Sequence, residues 1–194
     1  MYAYLQGLFT YKSPAQVYLD VNGIGFEVNI SLNTFSQIQA LPDGKLFTYL
    51  QVKEDAHTLY GFFEKEEKDI FVQLISVSGI GAATARMMLS NMKHTEVCTA
   101  IAQGNVKLLE SVKGIGKKTA ERLVLELKDK VSKHNTDIKL GINIGNSLQQ
   151  DALNALIALG ISKPMAEMAI KKTTADTANI TNLEELIKKA LKAI

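Results

Sequence analysis

The order of apolar and polar residues divides the chain into a strand-rich first third and a helical remainder. Up to about residue 63, short runs rich in β-branched and aromatic residues alternate with turn residues such as Asn22-Gly23 and Pro42-Asp43-Gly44. Five or more strands in about 60 residues match the size of a small closed barrel of the OB type, and an SH3-like barrel would give a similar pattern. The segment 32–41 interrupts the strands and predicts a short helical turn.

After this barrel the apolar positions follow the helical period, with Ile70 and Leu74 spaced for one buried face. The change of period places a domain boundary between residues 1–63 and a helical segment over 64–133. The chain is therefore predicted to be an α+β multidomain protein that begins with an OB-fold β-barrel.

The last third of the chain predicts a linker followed by a small helical domain. The polar, glycine-bearing segment 134–146 has no apolar period, which is typical of a flexible linker. Three short helices are predicted over 147–194, in a small UBA-like domain. Gly160 is expected to end the first of them, and a capping box of Thr181 and Glu184 is expected to start the last.

The central segment contains an internal repeat at an offset of 35 residues. SVSGIGAATARMML (76–89) aligns with SVKGIGKKTAERLV (111–124), and seven of the fourteen positions are identical. A helical solenoid usually needs three or more copies, and only two are present. The repeat therefore predicts a tandem helix-hairpin-helix domain, in which each Gly-Ile-Gly forms the turn between two helices.

Each of these turns is a candidate phosphate site. The helix that follows the glycines presents unpaired backbone N–H groups at its N-terminus, and these groups, with the helix dipole, favour an anion. Such contacts hold a nucleic-acid backbone without reading its sequence. An exposed helix face is the alternative for any single lysine. The predicted DNA-binding residues are Gly79, Gly81, Gly114, Gly116, Lys117, Lys118 and Arg122.

Charge and composition support this interpretation and exclude other classes. Residues 107–133 carry 8 basic and 4 acidic side chains, whereas residues 1–63 carry 3 basic and 5 acidic ones. A single cysteine, Cys98, and three scattered histidines argue against a structural disulfide, a zinc site or redox chemistry, so no metal or cofactor is expected. The chain shows neither a membrane span nor a signal peptide, which favours a cytoplasmic protein.

Four motifs, in their order along the chain, resemble the RuvA family of bacterial branch-migration subunits: GIGFEV, QVKEDAHTLYGF, KGIGKKTAERLVLELKD and ALIALGISKPMAEMAI. The similarity covers nearly the whole chain. It implies a homotetramer, or an octamer on DNA, that binds the four-way (Holliday) junction and holds it open and flat during recombination and DNA repair. It also implies that the chain has no catalytic residues, that it recruits the hexameric RuvB ATPase, and that the RuvC resolvase joins the same complex.

The resemblance assigns roles to residues that the pattern alone leaves open. Glu54 and Asp55 would form an acidic pin near the junction centre, whereas without the resemblance they simply mark a solvated hairpin tip. Four apolar residues of the last domain would contact the motor, and two of them, Leu156 and Leu159, could equally be core residues. These four are Leu156, Leu159, Ile161 and Leu191. Of the four, Ile161 is expected to be exposed because it follows the Gly160 turn.

The sequence departs from the family at the first hairpin, where Ala82-Ala83 replace the Pro-Lys of many members. The first turn therefore lacks a side-chain cation, and weaker phosphate binding is expected there. Arg86 and Lys93 are candidates to replace the missing charge.

Two other functions would fit parts of the same pattern. A factor that combines an OB barrel with helix-hairpin-helix turns could bind single-stranded or other branched nucleic acid through stacking aromatics on the barrel, although core positions are favoured for these residues. They are Tyr2, Tyr4, Phe9, Tyr11 and Tyr18. A helix-hairpin-helix glycosylase would need a catalytic acid in a base pocket, and Asp129 lies in a charge-mixed helix without that signature.

Overall fold

The structure, a computed structural model, describes residues 2–139, 147–176 and 182–193. It divides into two units, Met1–Asn135 and Thr136–Ile194. None of the helices in the described ranges is long and apolar enough to cross a membrane.

Five strands form a closed barrel in the first unit, in the order β1-β2-β3-β5-β4. All neighbouring strands are antiparallel except β3 and β5, which run parallel. A short helix, α1, connects β3 to β4, and the OB-fold prediction is confirmed. The elements are β1 (Tyr4–Ser13), β2 (Gln16–Val21), β3 (Ile24–Ile30), α1 (Leu32–Ile38), β4 (Asp43–Val52) and β5 (His57–Phe62).

The barrel core is filled by alternate side chains, as the period-two pattern predicts. Its buried residues are Leu5, Phe9, Val17, Leu19, Val28, Ile30, Ile38, Leu46 and Leu59. Gly61 faces this core, where a Cβ would lie 2.5 Å from Cγ1 of Val28. A larger residue at that position would have to displace the Val28 side chain.

One of the two predicted turns is confirmed and the other is wrong. Asn22 and Gly23 both have positive φ angles, 53° and 86°, as a two-residue hairpin loop between paired strands requires. Asp43 and Gly44, by contrast, already belong to β4, where they pair with the middle of β1. The turn that precedes β4 lies at residues 39–40.

The helices α2 to α6 complete the first unit and share one core with the end of the barrel. Tyr60 and Phe62 of β5 lie in the same cluster as Phe71, Met88 and Leu123. The helices are α2 (Lys65–Ile75), α3 (Ala82–Asn91), α4 (His94–Gln103), α5 (Val106–Glu110) and α6 (Lys117–Lys139).

Residues 134–139, which the sequence predicted to be part of the linker, belong to α6. No glycine or proline interrupts the helix before Gly141. Residues 140–146 lie outside the described residues.

Buried polar contacts connect α1 to α2. The Glu67 carboxylate accepts hydrogen bonds from the Ser31 hydroxyl and from Oγ1 of Thr34, the latter at 2.7 Å. Thr34 Oγ1 in turn accepts from the Phe63 N–H at 3.1 Å. Burial raises the pKa of Glu67, although the two hydroxyl donors oppose this.

The second unit is a three-helix bundle of α7 (Ser147–Ala158), α8 (Lys163–Asp176) and α9 (Leu183–Lys192). Gly160, at φ 91°, ends α7 as predicted, in a Schellman motif whose Ile161 N–H bonds to the Leu156 carbonyl at 3.1 Å. The side chain of Asn182 caps α9 and accepts a hydrogen bond from the Glu184 N–H, whereas the capping box was predicted at Thr181. Thr181 itself lies outside the described residues.

Candidate nucleic-acid interface

The two Gly-Ile-Gly turns adopt the same conformation. Gly79 and Gly114 have φ angles of 96° and 95°, a left-handed conformation that favours glycine. The isoleucine between the glycines is buried in both copies. The internal repeat in the sequence is therefore a structural repeat.

Each turn packs against the threonine of the other copy. A Cβ on Gly79 would lie 3.7 Å from Oγ1 of Thr119, and a Cβ on Gly114 would lie 3.9 Å from Cγ2 of Thr84. Thr84 and Thr119 occupy the same position of the repeat. The contacts are reciprocal, so the turns lie side by side and the N-termini of α3 and α6 are close together.

Backbone donors are available at both N-termini. The first helical hydrogen bonds run from the Ala85 N–H to the Gly81 carbonyl and from the Ala120 N–H to the Gly116 carbonyl. By helix geometry, the N–H groups before Ala85 and Ala120 in each first turn have no helical partner. A Cβ on Gly81 or Gly116 would meet nothing within 4 Å, so a ligand can approach this backbone closely.

The cations predicted for the second turn are exposed on α6. Lys117 Nζ lies 4.0 Å from Glu121 Oε1, and Arg122 Nε donates to Glu126 Oε1 at 3.0 Å. Exposed pairs of this kind contribute little energy, so both cations can turn towards a phosphate. No ion pair involves Lys118 among the residues that the structure describes.

The first turn has no comparable cation. Ala82 is buried and Ala83 exposed at the start of α3. Arg86 does not replace the missing charge, because its Nη1 donates to Oδ1 of Asn29 at 2.9 Å and to the Ala15 carbonyl at 3.0 Å, both in the barrel. Lys93 lies beyond the far end of α3, roughly 15 Å along the helix axis from the turn. The first turn therefore offers an anion backbone N–H groups rather than a side-chain cation.

Glu54 and Asp55 lie at the tip of the β4–β5 hairpin. A hydrogen bond of 2.9 Å from the Lys53 N–H to the Ala56 carbonyl closes the loop. Both acidic residues are exposed, and neither forms an ion pair with another described residue. Two negative charges therefore project from the barrel on a short, closed loop.

The comparisons with known proteins cover all parts of the chain. Family profiles match at residues 1–61 (RuvA N terminal domain), 71–129 (SAM-like helix-hairpin-helix tandem) and 147–194 (RuvA, C-terminal domain). Three proteins named Holliday junction branch migration complex subunit RuvA are each 46% identical to this chain. They come from Cytophaga hutchinsonii, Christiangramia forsetii and Flavobacterium psychrophilum. These alignments cover 99% or 100% of both partners. The chain belongs to the RuvA family.

Within this RuvA-family chain, the residues predicted for docking do not share one environment. Leu159 and Leu191 are 64% and 43% exposed. Leu156 is fully buried in the core of the three-helix bundle, and its side chain cannot face a partner. Ile161 is half-buried against the same core, contrary to the prediction that it is exposed, because the Schellman motif folds it back over Leu156.

The barrel aromatics also differ from expectation. Phe9 is a core residue, but four tyrosines are exposed on the outer surface, where core positions were favoured. They are Tyr2, Tyr4, Tyr11 and Tyr18. The rings of Tyr11 and Tyr18 are in contact, with centroids 4.9 Å apart and an angle of 40° between their planes, and Lys45 Nζ lies 5.3 Å from the centroid of Tyr4.

Three structural features were not anticipated from the sequence: the threonine contacts between the turns, the Arg86–Asn29 bond and the buried Glu67. The repeat could have indicated the first, because Thr84 and Thr119 are among its identical positions. The other two join residues far apart in the chain and left no local signal.

Proposed function

We propose that this chain is the DNA-binding subunit of a branch-migration complex. It binds four-way (Holliday) junctions as a homotetramer, or as an octamer on DNA, and holds them open and flat. It recruits a RuvB ATPase that performs the catalysis, and RuvC joins the complex. Membership of the RuvA family supports this proposal, and the reciprocal packing of the two Gly-Ile-Gly turns is the observation that carries it.

The paired turns suit recognition of shape rather than sequence. Two adjacent helix N-termini offer backbone N–H groups to neighbouring phosphates of one strand, and backbone contacts of this kind position a duplex without reading its bases. Lys117 and Lys118 add a salt-dependent attraction at the second turn. A fourfold assembly would repeat these phosphate contacts on each arm of a four-armed substrate.

The hairpin with Glu54 and Asp55 would supply the selectivity. Carboxylates next to phosphates repel them, so a continuous duplex that lies across this tip loses binding energy. An open junction leaves a central space for the tip. In this proposal the acidic pair disfavours ordinary duplex and helps to keep the strands apart.

The three-helix unit would dock the motor. Leu159 and Leu191 are exposed apolar residues, as a docking contact requires. Leu156 and Ile161 would support that surface from the core. The docking proposal therefore rests on two of the four residues predicted from the sequence.

A gel-shift titration of the full chain against an immobile four-way junction, a matched duplex and a single strand, at two salt concentrations, tests the DNA proposal. A strong preference for the junction is the expected result. Equal affinity for duplex would contradict it. Preference for single strands would favour the alternative function, for which the exposed Tyr11–Tyr18 pair is the supporting observation.

A further inference from the structure

Two helices cap each other at the boundary between the barrel and the helical part of the first unit. Asn33 of α1 donates from Nδ2 to the carbonyls of Leu89 and Met92 at the C-terminal end of α3, the second at 3.0 Å. In return, the N–H of Leu32, the first residue of α1, donates to Oγ of Ser90 in α3 at 3.1 Å. Groups at helix ends lack helical partners, so each helix satisfies an end of the other.

The helix α1 is itself fixed to the rest of the first unit. Its Ile38 is fully buried in the barrel core. Ser31, which caps its N-terminus, and Thr34 both donate to the carboxylate of Glu67 on α2. Arg86, one helical turn nearer the first Gly-Ile-Gly turn, adds its two bonds to the barrel. The C-terminal half of α3 is therefore attached to a support that cannot shift freely.

The opposite end of α3 is open. Gly81 precedes the helix, and among the described residues no side chain accepts a hydrogen bond from its first N–H groups. Ala82 and Ala83 supply no cation, so an anion at this turn meets N–H groups whose position the helix alone determines. At the second turn, the long side chains of Lys117 and Lys118 can follow a phosphate. The direction of the helix therefore matters more at the first turn than at the second.

The length of α3 makes its far end an effective place to set this direction. The helix has 10 residues. It therefore spans about 15 Å, and a tilt of about 4° moves one end by roughly 1 Å relative to the other. The lengths of N–H···O hydrogen bonds vary by only about 0.5 Å, so such a shift would disrupt contacts to a phosphate. Bonds at the C-terminal end of α3 thus control the geometry at its N-terminal end.

We propose that Asn33 and Ser90 are positioning residues of the first phosphate-binding turn. Their bonds hold α3 at the angle at which its free N–H groups meet a DNA phosphate, so preorganisation replaces the cation that this turn lacks. Neither side chain has to touch DNA, because both lie at the end of α3 away from the turn. The inference rests on the proposed DNA-binding function and deepens it.

Titration of the full-length Asn33→Ala variant against an immobile four-way junction, at several salt concentrations, tests the proposal. Affinity should fall about tenfold, whereas the slope of log K against log salt concentration should not change, because no cation is lost. Ser90→Ala should weaken binding in the same way, and Ser90→Thr, which keeps the hydroxyl group, should restore it. Thermal unfolding sets a temperature at which each variant is folded, and Ser90→Ala carries the test if Asn33→Ala does not fold.

Thr48→Val is the matched control. It removes a hydrogen bond of 3.0 Å from Thr48 Oγ1 to the Tyr2 carbonyl, a neutral contact within the barrel that does not involve α3. Junction affinity should be that of the wild type. An equal loss of affinity in Thr48→Val and Asn33→Ala would overturn the proposal, since any weakened hydrogen bond would then have the same effect.

Combination with glycine substitutions localises the effect to one turn. Gly81→Ala obstructs the first turn and Gly116→Ala the second, each by placing a methyl group in open space. Asn33→Ala should cost little further affinity in the Gly81→Ala background but should keep its full effect in the Gly116→Ala background. Equal losses in both backgrounds would show that Asn33 supports the fold in general rather than the first turn.

The positioning role and the proposed function can fail separately. If the wild type binds duplex as tightly as the junction, the proposed selectivity fails, and the same combination of variants on duplex still tests the positioning role. If the wild type prefers the junction and both Asn33→Ala and Ser90→Ala bind it normally, the proposed function stands and the positioning role is wrong.

Discussion

Arg86 on α3 donates a hydrogen bond of 2.9 Å to the side chain of Asn29 on β3. The same Nη1 donates to the Ala15 carbonyl in the turn between β1 and β2, so one guanidinium connects α3 to two parts of the barrel. Arg86 is therefore a structural residue at the boundary between barrel and helices, although the sequence made it a candidate to supply the cation missing at the first turn.

Replacing Arg86 with alanine should destabilise the first unit. The loss of two hydrogen bonds from a half-buried charged group is expected to lower the free energy of unfolding by about 1–3 kcal/mol, measured by urea denaturation. Arg122→Ala is the matched control, because Arg122 is exposed and pairs only within α6, so a change below about 0.5 kcal/mol is expected. An Arg86 variant of normal stability with weakened DNA binding would reverse this assignment.

Substitutions of the turn glycines should distinguish effects on stability from effects on DNA binding. Gly79→Ala and Gly114→Ala place a side chain at positive φ, which should cost roughly 1–2 kcal/mol of stability each. Gly81 has an ordinary extended backbone and open space around it, so Gly81→Ala and Gly116→Ala should fold normally. The added methyl group would nevertheless occupy the space through which a phosphate approaches. Thermal unfolding together with the gel shift distinguishes the two effects, and unchanged junction affinity in the Gly81 and Gly116 variants would contradict close backbone contact.

Removing the lysine pair of the second turn should weaken binding to every form of DNA. For Lys117→Ala with Lys118→Ala, the slope of log K against log salt concentration should fall by about 1–2, since each phosphate contact contributes roughly 0.9. Lys188→Ala with Lys189→Ala, an adjacent pair in α9, is the control and should leave the slope unchanged. A loss of affinity with the same slope would argue against direct phosphate contacts.

Neutralising the acidic tip should change selectivity rather than stability. Glu54→Gln with Asp55→Asn is expected to raise affinity for continuous duplex and so reduce the preference for the junction. Both residues are exposed in a loop, so the melting temperature should not change. Parallel titrations of junction and duplex provide the measurement. An unaltered ratio of the two affinities would show that Glu54 and Asp55 do not determine the preference for the junction.

The buried Glu67 predicts a specific pH dependence. Burial raises its pKa above the ordinary value of 4.5, so the folded protein retains a proton that the unfolded chain has lost. Its contribution to stability is therefore full below the unfolded pKa and decreases as pH rises to the raised folded pKa. Thermal unfolding at a series of pH values should show the stability of the wild type, relative to Glu67→Gln, falling as pH rises above about 4.5. A difference that is constant with pH would contradict the raised pKa.

Local patterns in the sequence predicted the elements and the repeat, because strand alternation, the Asn22-Gly23 turn and the Gly-Ile-Gly motifs act over a few residues. The prediction failed where distant segments decide the outcome. Asp43 and Gly44 resemble a turn but pair with β1, and Ile161 is half-buried because a helix-end motif folds it back. The environment of Arg86 likewise depends on Asn29, which lies 57 residues away in the chain.

The core that Tyr60 and Phe62 share with Phe71 has a mechanical consequence. The strand that descends from the acidic tip ends inside the helical core that supports both turns, so tip and turns cannot shift independently. In the proposed function, each copy of the chain would then be a fixed template to whose spacing the flexible DNA arms adjust, and the partner motor would do the work of moving the strands.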